Sequence, residues 1–144
     1  TCLAVAGIVA ILIVKEANMN IKYVIITLLI CISTTTSASQ VCSTIAGASI
    51  IANDGKYLGK VANEYDTDSI LNEYGTYGSE YSVDSIWNEY GIYGSEYSSN
   101  SSFNEYTSTP PALVKNGRAI AYLTVNKYLQ NPVSPNFIKT CTFY

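Results

Sequence analysis

The sequence predicts a β-rich (α+β) domain in which about four antiparallel strands, drawn from two β-hairpins, bracket a turn-rich repeat, with an N-terminal hydrophobic leader helix ahead of them. Three observations predict it. Asp54-Gly55 and Asn116-Gly117 each separate two apolar segments. Between them, from residue 63 to 106, a 16-residue unit is written almost three times. Ahead of both, residues 24–32 form an apolar run.

The leader comes first. The chain opens on Thr1 and its single methionine is Met19. From Met19 the text is that of a secretory signal, with Lys22 as the charged region, Val24 to Ile32 as the apolar region and Ser33 to Ser39 as a small polar region. Cleavage after Ala38 or Ser39 leaves small residues where a signal peptidase inspects them. The expected organisation is upstream translation over 1–18, a signal peptide over 19–39 and one mature domain over 40–144. A rival reading makes the apolar residues 1–14 part of a membrane hairpin or anchor, although a span needs about 20 residues. Membrane contact is expected only through this leader if it stays uncleaved.

Of the four cysteines, Cys2 and Cys31 fall in the leader. Cys42 and Cys141 remain, and an even pair in an exported chain predicts a disulfide. A mature domain of about 100 residues has a small core, so closing so long a loop, worth roughly 4 kcal/mol on the chain-entropy model, matters to it.

Residues 49–62 form the first predicted hairpin. Asp-Gly between apolar segments signals a type I′ turn, with positive φ at both central residues. The second, over 112–128, repeats the pattern around Asn116-Gly117. A basic residue follows each glycine (Lys56, Arg118), and an Asn-x-Tyr closes each hairpin (Asn63 to Tyr65, Asn126 to Tyr128). Because an isolated hairpin is marginal, the two are expected to join in one sheet. Residues 129–144 are a tail, and all four prolines fall after the repeat.

The repeat occupies 63–106. Slid by 16, Glu64-Tyr65 coincides with Glu80-Tyr81 and Glu96-Tyr97, and Asn72-Glu73-Tyr74 with Asn88-Glu89-Tyr90 and Asn104-Glu105-Tyr106. Asp or Ser as N-cap and Gly91 as stop predict one helical turn over 85–90, with short helical or 3₁₀ turns joined by bends elsewhere. So short a period, in fewer than three full copies, disfavours a free-standing solenoid. The copies are expected to fold back over the sheet, laying Ile and aromatic side chains on it.

Charge is segregated. From Val61 to Val114 there is no Lys or Arg, yet nine of the eleven acids lie there. Such a surface repels nucleic acid and anionic lipid and suits cations, basic proteins or neutral sugars. The chain has no His, so no Ser-His-Asp triad, Cys-His dyad or His-ligated metal site can be assembled within it.

Three chemistries are compatible with these residue types. Calcium would draw on Asp66, Asp68, Asn72 and Glu73, but the spacing fails the EF-hand loop and later copies replace Asp66 by Ser82 and Ser98. No cofactor is expected, with Ca²⁺ as the one candidate. An envelope polysaccharide would stack on a ligand face of Tyr74, Tyr77, Trp87, Tyr90 and Tyr93, unless those aromatics are simply the core. A small hydrolase would need a differentiated carboxylate pair, which a repeat with equivalent carboxylates does not single out.

The unit Ser-Glu-Tyr-Ser-x-Asp-Ser-Ile-x-Asn-Glu-Tyr-Gly-x-Tyr-Gly, followed by Pro110-Pro111 and a strand ending Tyr122 to Tyr128, resembles small exported bacterial proteins with tandem tyrosine-rich repeats. The resemblance covers roughly residues 55–128. It implies a bacterial, exported protein and carries over no active-site residue. The expected function is a non-enzymatic, periplasmic or extracellular structural or interaction module, whose partner is an envelope polysaccharide or protein. A carbohydrate-binding module and a carboxylate-dependent hydrolase are the alternatives.

Overall fold

A computed structural model describes residues 38–144; residues 1–37, and with them nearly all of the expected leader, lie outside the described residues. Ala38 and Ser39, read above as the end of the leader, begin α1 (Ala38–Ile45). The strands are β1 (Ser49–Ile51), β2 (Tyr57–Lys60), β3 (Ala112–Lys115), β4 (Arg118–Leu123) and β5 (Pro132–Val133), and α2 spans Pro135–Ile138. Among the described residues, no helix is long and apolar enough to cross a membrane.

The strands form one sheet in the order β2-β1-β3-β4-β5. Both predicted hairpins are present and join through the antiparallel β1–β3 pair, with Ile50 opposite Leu113. The expected four strands become five, because β5 runs parallel to β4 with Tyr122 opposite Pro132. Two-residue strands leave no pattern to read. Its proline is tolerated because β5 is an edge strand, where a missing N–H breaks no ladder.

The two turns differ. Asn116 and Gly117 have φ of 53° and 74°, as the type I′ turn requires. In the loop of the first hairpin only Gly55 is positive, at 85°. There Gly55 N–H donates to Ala52 O and Ala52 N–H to Lys56 O, so the loop is the three residues 53–55. This corrects the type I′ expectation. Asn53 lengthens the loop, leaving a turn followed by one left-handed glycine.

Ile50, Leu58, Leu113 and Leu123 from the sheet, Ile45 and Ile138 from the helices, and Ile70 and Ile86 from the repeat are all buried in one cluster. A disulfide joins Cys42 in α1 to Cys141 just after α2, with the Cα atoms 5.6 Å apart. Such a bond accords with an oxidising compartment. Lys115 Nζ also donates to Thr44 O, at 2.9 Å, where the end of α1 leaves carbonyls without helical partners.

The repeat takes the outer edge of β2. Lys60 N–H donates to Asp68 O and Ile70 N–H to Lys60 O, making a parallel bridge between Lys60 and Ser69. A sheet edge otherwise left open is thereby paired.

Candidate functional site

The repeat is a run of turns rather than of helical turns, which corrects the expectation for residues 85–90. Backbone N–H groups at 66, 69, 72 and 75 donate to carbonyls three residues earlier, Ser79 donates to Gly75 four earlier, and the series restarts with Ser82 donating to Ser79. Four steps of three and one of four make the 16-residue period. The cause is side-chain chemistry. Asn, Asp or Ser opens the successive turns, and its side-chain oxygen accepts from the backbone N–H two residues on. Asn63 serves Tyr65, Asp66 serves Asp68, Ser69 serves Leu71 and Asn72 serves Tyr74, at 2.9–3.1 Å. These bonds offer the backbone an alternative to the helix.

The asparagines also close each copy on itself. Asn72, Asn88 and Asn104 donate from Nδ2 to the carbonyls of Asp66, Ser82 and Ser98, six residues earlier, at 3.2, 3.1 and 3.0 Å. Consecutive copies then bond to one another. Trp87 Nε1 donates to Ile70 O, and Ser102 N–H to Tyr93 O. The rings of Trp87 and Phe103, equivalent positions of adjacent copies, lie 5.8 Å apart. The copies therefore stack on each other as well as packing on the sheet, a contact that period and copy number alone did not suggest.

Stacking sorts the side chains. Ile70 and Ile86 point inward and are buried. Ser102 takes their place in the third copy, and its buried hydroxyl has no partner among the described residues. The Glu-Tyr turns point outward. Tyr65, Tyr81 and Tyr97 are 84–86% exposed, and Tyr74, Tyr90 and Tyr106 are 91–98% exposed. The tyrosines thus form two rows, one residue per copy in each. Asn126 extends the second row, since it serves Tyr128 N–H, donates to Thr107 O and leaves Tyr128 exposed.

The five residues of the expected ligand face are placed differently. Tyr74 and Tyr90 stand in the second exposed row. Tyr77 is half-buried, its ring 5.1 Å from that of Tyr57 and nearly perpendicular to it. Tyr93 is buried and donates its hydroxyl to Asp54 Oδ2 at 2.9 Å. Burial and then that bond raise its pKa above the usual tyrosine value. Trp87 is half-buried beside the core. These five residues therefore divide between surface and packing.

What the residues do bring together is an open groove of about 780 Å³ between the first copies and the tail. Trp87 and Leu71 supply apolar surface, Tyr65, Tyr74 and Tyr81 supply rings, and Glu64, Glu73 and Glu80 supply carboxylates. Lys139 and Phe143 enter from the tail. The Glu-Tyr doublets were visible as text, whereas nothing nearby in sequence ties Lys139 to Trp87. Within the doublets, the glutamate accepts a hydrogen bond from the neighbouring tyrosine, which raises the pKa of Tyr65, Tyr81, Tyr90 and Tyr97. Ring and carboxylate are thereby held side by side.

Two of the four calcium candidates, Asp66 and Asn72, are engaged otherwise. Asp66 pairs with Lys60 at 2.8 Å, which with the Asp68 backbone bond lowers its pKa, and Asn72 is spent on backbone groups. Among the described residues, no three His, Cys, Asp or Glu gather to hold a metal ion. Asp84 likewise pairs with Lys56 at 3.1 Å, tying the second copy to the first hairpin. The chain matches no protein-family model, and neither a curated protein nor a solved structure matches it.

Proposed function

We propose that this protein is a non-enzymatic, exported interaction module of the bacterial envelope, which binds its partner through the outward rows of Glu-Tyr doublets. One observation carries the reading. Six tyrosines, at two equivalent positions of every copy, are more than four-fifths exposed while Ile70 and Ile86, at one equivalent position of the first two copies, are buried. Exposed aromatic residues in a regular array mark interaction surfaces, because a ring in water gains when a partner covers it. The carboxylate beside each ring adds an acceptor. A carbohydrate of the envelope is the second reading, favoured by this alternation of stacking surface and hydroxyl acceptors.

The test is co-sedimentation of the full chain with isolated envelope fractions. Replacing Tyr90 and Tyr106 together by alanine should reduce binding by about tenfold or more, as loss of aromatic hot spots does. The melting temperature should hardly move, since both rings lie outside the core. Unchanged binding by the double variant would overturn the reading. Competition by soluble envelope oligosaccharide would favour the carbohydrate as partner.

A further inference from the structure

The groove beside Trp87 already holds a cation. Lys139 Nζ stands 3.9 Å from the centroid of the Trp87 ring, well inside the range at which an ammonium is attracted to the face of an indole. Among the described residues Lys139 has no carboxylate partner, the two ion pairs being those of Lys56 and Lys60. Three glutamates, Glu64, Glu73 and Glu80, nevertheless line the same groove. The ring is fixed from below by its Nε1–H bond to Ile70 O. Lys139 arrives on the turn between α2 and Cys141, and the disulfide anchors that turn.

From this geometry we infer that the groove is a binding site for lysine side chains of a basic peptide partner, and that Lys139 occupies its indole subsite in cis as an internal competitor. Charge complementarity selects the occupant. Three glutamates and one lysine line the groove, so its net negative charge attracts further cations and repels anions. A neutral sugar would need the ring face that Lys139 covers. A lysine of a partner meets the same indole and, beyond it, carboxylates within reach of a neighbouring basic residue. Lys139 shows how a lysine on a polypeptide enters, with its ammonium over the ring. The inference rests on reading the protein as an interaction module, and it names the chemistry of one partner.

Trp87 is the chain's single tryptophan, so its emission reports this site alone. The experiment titrates the full chain, disulfide intact, with N-acetyl-tetralysine amide. Chitotetraose and butylammonium at matched concentration are the comparisons. The peptide should change Trp87 emission saturably, and the comparisons should not. Lys139→Ala and Lys139→Gln, both at an exposed position, should melt as the parent does and bind the peptide about fivefold more tightly, the scale of one cation–π contact freed for the ligand. Glu64→Gln with Glu73→Gln and Glu80→Gln should weaken it by about fivefold, from loss of charge complementarity. Unchanged affinity in both Lys139 variants would overturn the inference, as would saturation by chitotetraose, or by butylammonium as tightly as by the peptide. Tyr90 and Tyr106 are outside the groove, so their double variant keeps peptide binding whatever it does to envelope binding. Failure of the peptide titration with intact envelope binding would therefore remove this inference alone.

Discussion

Replacing Gly94 by alanine should lower the melting temperature of the domain by about 15 °C. A Cβ at this position would overlap the carbonyl oxygen of Asn88 and come within 2.6 Å of that of Ile86. Both obstacles are backbone atoms of the preceding turns, held by the bonds that close the copy, so no side chain can swing aside. Overpacking against yielding neighbours costs about 1–3 kcal/mol, and a fixed backbone puts this case at about 3 kcal/mol or above. In a domain of this size each kcal/mol is worth about 4–8 °C. Gly55→Ala is the control. Its φ of 85° carries strain, but nothing lies within 4 Å, and about 1 kcal/mol is expected. Calorimetry showing Gly94→Ala to be neutral or stabilising would sink the turn ladder.

Reducing the Cys42–Cys141 bond should cost still more. The bonded residues are 99 apart, so the bond closes nearly the whole described domain. On the chain-entropy model a loop of that length is worth about 4–5 kcal/mol, a large part of the 5–15 kcal/mol by which small domains are stable. The loss has a structural route. At eight residues α1 is too short to persist alone, and the contact of Ile45 with the core depends on its staying docked. The expected result is a fall of about 20 °C in melting temperature on adding dithiothreitol, matched by Cys42→Ser with Cys141→Ser. A shift below about 5 °C would mean that packing alone holds α1 and the tail in place.

These predictions draw unequally on what could be read in the text. The second hairpin was legible down to its turn type because Asn116-Gly117 supplies both left-handed residues. The first was legible as strands only, since the part Asn53 plays in the loop depends on which carbonyl Gly55 reaches. Strand β5 was hidden because pairing by Asn131 and Val133 is a tertiary event. The 16-residue period was plain. The three-residue step inside it, Asn63, Asp66, Ser69, Asn72, was also written in the sequence but was outweighed by the helix-capping sense of the same residue types. Once that step is seen, the turn centres fall as Glu-Tyr outward and Ile-Leu inward, and the exposed rows follow. The groove was not legible. Its lysine comes from a tail that only the sheet and the disulfide bring to Trp87.

The tyrosines of the Glu-Tyr doublets form an outward surface while Ile70 and Ile86 are buried. Nitration with tetranitromethane, read tyrosine by tyrosine by mass spectrometry, tests it most directly. The account predicts that Tyr65, Tyr81 and Tyr97, with Tyr74, Tyr90 and Tyr106, react first, and that Tyr93 is protected by about tenfold or more, as a side chain that must await local opening. Tyr93 reacting as fast as Tyr90, or the doublet tyrosines remaining unmodified while the chain is folded, would contradict it.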